Sequence, residues 1–113
     1  MTETESQLQS AVAAVLDAIP GLLWCHVPNE ARRSPALGNR LKRSGLKPGV
    51  PDVLIWPCVG RYRGIAIELK VGRGRLTTAQ SWWIGRLQAA GWSATTARSV
   101  DDVLYLLRAE GVL

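Results

Sequence analysis

Apolar residues recur at helical spacing near the start of the chain, at Leu8, Val12, Val15, Leu16 and Ile19. Thr2 with Glu5 three residues on has the form of a capping box, and Pro20-Gly21 supplies a stop. The short apolar run Leu22 to Val27 predicts a strand. Pro28 to Gly49 is polar and irregular, rich in Arg, Lys, Gly, Pro, Ser and Asn, with room for a helical turn around Ala36 to Arg43. A loop of that length in a small domain is usually functional or mobile. Val53 to Trp56 predicts a second strand, ended by Pro57. Tyr62 to Lys70 predicts a third, in which Ile65, Ile67 and Leu69 alternate with Ala66, Glu68 and Lys70. The short link between these two implies an antiparallel hairpin. Thr77 with Gln80 repeats the capping-box pattern and opens a helix through Trp83, Ile84 and Leu87 that ends at Gly91. Trp92 to Ala97 reads as a fourth strand. Ser99 and Asp102 cap a last helix through Val103, Leu104, Leu106 and Leu107, closed by Gly111. The order is α-β-β-β-α-β-α, an α/β pattern with a mixed sheet flanked by helices.

At 113 residues the chain fits one domain, 1–113, with no internal repeat or low-complexity tract. No apolar run is long enough to span a membrane. Glu3 and Glu5 stand where a secretory leader would be basic, so a cytoplasmic protein is expected. Cys25 and Cys58 lack the close spacing of a zinc site and read as buried free thiols.

The net charge of +5 matters less than its placement. Arg32, Arg33, Arg40, Lys42, Arg43, Lys47, Arg61, Arg63, Lys70, Arg73 and Arg75 crowd the segment from Ala31 to Arg75, which holds only two acids, Asp52 and Glu68. A solvated surface explains some of this charge. A polyanion such as DNA or RNA explains the clustering better.

Glu68 and Lys70 are two apart on a strand and therefore share a face. The hairpin can bring Asp52 beside Glu68, so two carboxylates and one ammonium converge at the sheet edge. Two carboxylates suit Mg²⁺, a hard cation that takes oxygen ligands. Such an ion polarises a phosphate and lowers the pKa of a water, while a neighbouring lysine orients that water or offsets phosphoryl charge. The bland alternative is a cross-strand salt bridge of Lys70 with either acid.

Gly49-Val50-Pro51-Asp52, the hairpin, Ile67-Glu68-Leu69-Lys70, and Gly74-Arg75-Leu76-Thr77-Thr78-Ala79-Gln80 before a Trp-bearing helix together resemble the VRR-NUC family. These are virus-type replication–repair nucleases of the PD-(D/E)XK superfamily. His26-Val27-Pro28-Asn29-Glu30, the basic loop and Gly45-Leu46-Lys47-Pro48-Gly49 are similar to the stand-alone phage and prophage members. The resemblance runs from about Glu5 to Leu107. It implies a restriction-endonuclease-like fold, Mg²⁺ or Mn²⁺ as cofactor, and DNA phosphodiester hydrolysis that leaves a 5′-phosphate and a 3′-hydroxyl. It implies Asp52, Glu68 and the Leu69 carbonyl as metal ligands, Lys70 as the catalytic lysine, Gln80 as a supporting residue and Glu5 as an acid facing the site from the first helix. A homodimer acting on branched DNA such as a four-way junction, in a bacterial host, is the matching expectation.

Several residues keep a structural alternative. Glu5 and Gln80 are also cap residues in the patterns above, and either role, or both, is open. His26 ends a strand and reads as structural before catalytic. Asn29 and Glu30 are loose candidates for the site or substrate. Arg32, Arg33, Arg40, Lys42 and Arg43 are the better phosphate contacts, with Arg73 and Arg75 placed near the cut. Trp82 and Trp83, at helical spacing with Leu87, read as core or dimer interface rather than stacking platforms. The rival for the whole chain is a non-catalytic basic DNA-binding module.

Overall fold

The computed structural model describes residues 3–28, 34–57 and 59–113. Helix α1 (Glu5–Asp17) leads into strand β1 (Leu23–His26), helix α2 (Pro35–Arg43) and the strand pair β2 (Val53–Trp56) and β3 (Ile65–Leu69). Helix α3 (Thr78–Ala89), strand β4 (Ser93–Ala97) and helix α4 (Val100–Ala109) complete the chain. The expected order therefore gains one element, because the suggested turn at Ala36 to Arg43 is a full helix. Its start is set by Ser34, whose side chain accepts a hydrogen bond from the Leu37 amide, and by Pro35 at the first helical position. It buries no residue, so no apolar stripe announces it in the sequence.

The strands form one sheet in the order β1-β2-β3-β4. β1 and β2 are antiparallel, β2 and β3 form the expected antiparallel pair, and β4 runs parallel to β3. The β3–α3–β4 crossover accounts for the parallel pairing. β3 is shorter than expected: it begins at Ile65, since Tyr62 to Gly64 belong to the connection.

Strand alternation divides the core. Ile65, Ile67 and Leu69 face α1 and α4, packing with Leu8, Val12, Leu16, Val53, Ile55, Val103 and Leu107. Ala66 faces α3 and packs with Ile84 and Ala94. Every residue of β3 is buried because helices cover both faces. Ala66 and Gly64 keep the α3 side shallow. A Cβ on Gly64 would collide with the Trp92 indole, which stands edge-on to Trp56 with centroids 6.0 Å apart.

Two local expectations change. The cap of α1 is Thr4, not Thr2, and its partner is Gln7, not Glu5: the Thr4 hydroxyl accepts from the Gln7 amide while Gln7 Oε1 accepts from the Thr4 amide. α1 ends at Asp17, and Ile19 packs on the core from the turn beyond. Cys25 is an exposed free thiol rather than a buried one, on a strand, β1, that lies at the edge of the sheet. Cys58 lies outside the described residues.

Candidate active site

β2 and β3 pair with Val53 opposite Ile67, so Asp52, one step before β2, falls opposite Glu68. Lys70 follows two residues after Glu68, on the same side. All three are buried, at 6%, 3% and 8% exposure. They are the buried charged side chains among the described residues, in a protein whose other charges lie toward water.

Asp52 is held from three directions. Its Oδ2 accepts a hydrogen bond of 2.8 Å from the Leu69 amide. Its backbone carbonyl accepts one of 2.8 Å from the Val27 amide and lies 2.9 Å from His26 Nδ1. An imidazole serving this carbonyl carries its proton on Nδ1. His26 thus has a definite place beside the acids. Position alone made it a structural residue, and its pairing with Asp52 becomes legible only once β1 is known to lie against β2.

Glu68 meets a different environment. Burial pushes its carboxyl up from 4.5 to about 9. A hydrogen bond with Asp52 and the negative charge of Asp52 push the same way, Lys70 pulls it down, and Glu5 adds a smaller upward push. Near neutral pH the two acids therefore hold a proton on Glu68. Gln80 touches Glu68 from α3, its Nε2 donating to Oε2 at 3.4 Å. The same side chain completes the cap of α3: Oε1 accepts from the Thr77 amide at 2.9 Å while the Thr77 hydroxyl accepts from the Gln80 amide at 3.1 Å. Capping and contact with the acid coexist because a primary amide offers an acceptor and a donor on opposite sides.

The approach of α3 to Asp52 depends on Gly49. It has φ +91°, and a Cβ there would lie 2.5 Å from the carbonyl carbon of Ala79. Only glycine fits that conformation and that contact. The loop into Pro51-Asp52 thereby rests directly on the first turn of α3, one residue from Gln80.

A cavity of about 340 Å³ opens beside Asp52, between α1 and the end of the sheet. Glu5, Ser6, Gln9 and Ser10 line it from α1; His26, Asp52 and Leu69 line it from the sheet. Glu5, freed from capping by Gln7, stands at its rim, exposed. Both polar atoms of the Gln9 amide are shielded from solvent and lack a hydrogen-bond partner among the described residues. No pattern in the sequence marks Gln9, which sits one turn after Glu5 on a helix read for its apolar stripe. The donor set suits a hard divalent cation. Among the described residues no group of three His, Cys, Asp or Glu side chains gathers. An ion here would rest on two carboxylates completed by backbone and water, the usual coordination of Mg²⁺. Two buried acids that must share a proton when alone are what such an ion relieves.

The basic candidates fall outside this cluster. Arg40, Lys42 and Arg43 are exposed on the last turn of α2. Arg73 and Arg75 are exposed in the loop after Lys70. That loop is tied down by Arg98, whose guanidinium donates to the carbonyls of Gly72 at 3.1 Å and Gly74 at 2.8 Å. Arg98 lies 23 positions beyond Arg75 and its role could not be seen from spacing. Arg32, Arg33, Asn29 and Glu30 lie outside the described residues.

The VRR-NUC domain profile matches residues 3–101. A solved structure described as a VRR_NUC domain protein superposes with a TM-score of 0.74 at 28% identity, covering 97% of this chain and 89% of that one. No curated protein matches. With the profile spanning most of the chain and the same α/β architecture in a relative, this protein belongs to the VRR-NUC family of nucleases.

Proposed function

We propose that this protein, as a single domain over 1–113, is a metal-dependent DNA endonuclease whose centre is Asp52, Glu68 and Lys70. The observation that carries this reading is the burial of two acids and a lysine together where β2 begins and β3 ends. Burying two acids and an ammonium lowers stability unless something else uses them. Asp52, Glu68 and the Leu69 carbonyl hold Mg²⁺ or Mn²⁺ in this reading. When bound there, the ion supplies positive charge to a phosphoryl oxygen and acidifies a water.

The protein's own groups have separate tasks. The Leu69 amide and the His26 imidazole fix the Asp52 carboxylate and backbone, so its orientation is set before substrate arrives. Gln80 steers Glu68. Lys70, kept from bulk water, places its ammonium where negative charge builds on the phosphate during hydrolysis. Glu5 adds an acid at the rim of the cavity. Exposed Arg40, Lys42, Arg43, Arg73 and Arg75 are the phosphate contacts, with Arg32 and Arg33 assigned the same role from sequence. The products carry a 5′-phosphate and a 3′-hydroxyl. Branched DNA is the proposed substrate, a homodimer the proposed form, and the cytoplasm of a bacterial host of a phage or prophage the proposed setting. No helix among the described residues is long and apolar enough to cross a membrane.

The test is cleavage of plasmid and four-way-junction DNA with Mg²⁺, with Mn²⁺ and with EDTA. Asp52→Ala and Glu68→Ala are expected to lose metal-dependent cleavage by at least about a hundredfold, on the scale of losing a group that stabilises the transition state. DNA binding in EDTA stays within about twofold. Full cleavage by either variant overturns the assignment. Binding without product under every metal would leave a DNA-binding module without chemistry.

A further inference from the structure

A second cavity, of about 490 Å³, lies on the other side of the acids from α1. Its walls are Lys47, Pro48, Ala79, Trp82 and Trp83, and its surface is almost wholly apolar. Trp82 is 58% exposed, so of the two readings its helical spacing offered it is not a core residue. It stands edge-on to Trp83, with centroids 5.7 Å apart and planes at 86°. The Arg86 guanidinium lies over its ring at 5.5 Å. The cavity adjoins the proposed centre through the chain itself. Lys47-Pro48 leads into Gly49, which rests on Ala79, and Gln80 reaches Glu68 from the same turn of α3.

We propose that this face of α3 stacks an unpaired base from a single-stranded stretch of the DNA substrate. An exposed indole flanked by cations is the surface that single strands recognise: the ring accepts a base of any sequence, and the cations meet its phosphates. Among the described residues no acid lines the cavity and Lys47 does, so its charge complements a polyanion. A second copy of this chain seated about a two-fold axis here would bring Lys47 and Arg86 toward their own counterparts, a like-charge contact. The inference takes the identity of the polymer from the proposed function, but the binding step needs no catalysis.

The test is binding of a short oligothymidylate and of an abasic oligonucleotide of equal length, both in EDTA at one salt concentration. Wild-type protein is expected to bind the oligothymidylate about tenfold more tightly. Trp82→Ala abolishes that difference, while Trp82→Phe keeps most of it. The exposed position of Trp82 leaves the fold intact in both variants, as circular dichroism would verify. Equal binding of the two oligonucleotides, or an undiminished preference in Trp82→Ala, overturns the proposal. So does a dimer in sedimentation that Trp82→Ala dissociates, since a second copy would then own the surface. Plasmid cleavage with Mg²⁺ is followed in parallel. Absence of cleavage by wild-type protein would refute the nuclease reading and leave the stacking result standing.

Discussion

Glu68 carries a proton through a pH range where an ordinary glutamate has lost it, and this has a thermodynamic sign. Its carboxyl is raised from 4.5 to about 9 in the folded protein, chiefly by burial. Between those values the folded state binds a proton that the unfolded state does not. Stability of the metal-free protein therefore falls as pH rises through that window, by at most about 1.4 kcal/mol per unit. Glu68→Gln is expected to remove that dependence and to stabilise the metal-free protein at pH 8 by at least about 1 kcal/mol. Urea unfolding at pH 6 and pH 8 in EDTA measures both effects, and a slope unchanged by the substitution would contradict the assigned cause. On the proposed function Mg²⁺ needs the ionised carboxylate, so any rise in melting temperature on adding Mg²⁺ is expected to be larger at pH 8 than at pH 6. Much of this site was legible one residue at a time. Asp52, Glu68 and Lys70 announce themselves as acids and a lysine at positions where strands meet. Gln9 and His26 do not, because what marks them is an unpaired amide and a carbonyl on a neighbouring strand, and neither has a signature in the local chain.

Among the elements, those that bury an apolar stripe or alternate on a sheet are readable from periodicity, and those that lie on the surface are not. α1, α3, α4 and the β2–β3 pair fall in the first group. α2, with no buried residue, falls in the second, while β1, which lacks that alternation, was legible only as the short apolar run Leu22 to Val27. The junction between elements shows the same division. Thr77 and Gln80 read as a cap from their spacing alone, but the contact of Gln80 with Glu68 follows from how closely the preceding loop sits on α3. Gly49 sets that distance. Gly49→Ala places a Cβ 2.5 Å from the Ala79 carbonyl carbon and forces alanine to φ +91°. It is expected to lower stability by more than about 1 kcal/mol and to reduce cleavage beyond what the lower stability explains. Gly38→Ala is the matched control: it sits in α2 with open space around it and is expected to be neutral or stabilising by up to about 1 kcal/mol. Equal behaviour of the two variants in thermal melts would show that the loop has slack and that Gln80 is positioned by other means.

For the molecule as a whole, charge and framework occupy separate places. The sheet and its helices are apolar inside, and the exposed basic residues include Arg40, Lys42 and Arg43 on α2 and Arg73 and Arg75 on the loop that Arg98 ties down, with others such as Lys47, Arg61, Arg63 and Arg86 elsewhere on the surface. The overall charge of +5 was plain from composition, whereas the placement of its cations on particular elements required the fold. Binding to DNA in EDTA is expected to weaken steeply with salt, with log affinity falling linearly in log salt. Replacing Arg40, Lys42 and Arg43 together by Ala is expected to reduce that slope by about 2 to 3, roughly one for each phosphate no longer neutralised. An unaltered slope would make α2 a solvated surface and leave Arg73 and Arg75 as the main phosphate-binding groups.

Asp52 is anchored to both of its neighbouring strands, through Val27 and His26 on one side and Leu69 on the other. None of those anchors belongs to α2 or to the loop carrying Arg73 and Arg75. On the proposed function, the basic surface on α2 can thus be exchanged while the anchored acid stays put. Substituting a different basic helix for α2, Pro35–Arg43, would then be a practical way to retarget the protein while leaving the proposed centre and the Lys47-Pro48-Gly49 approach to α3 in place.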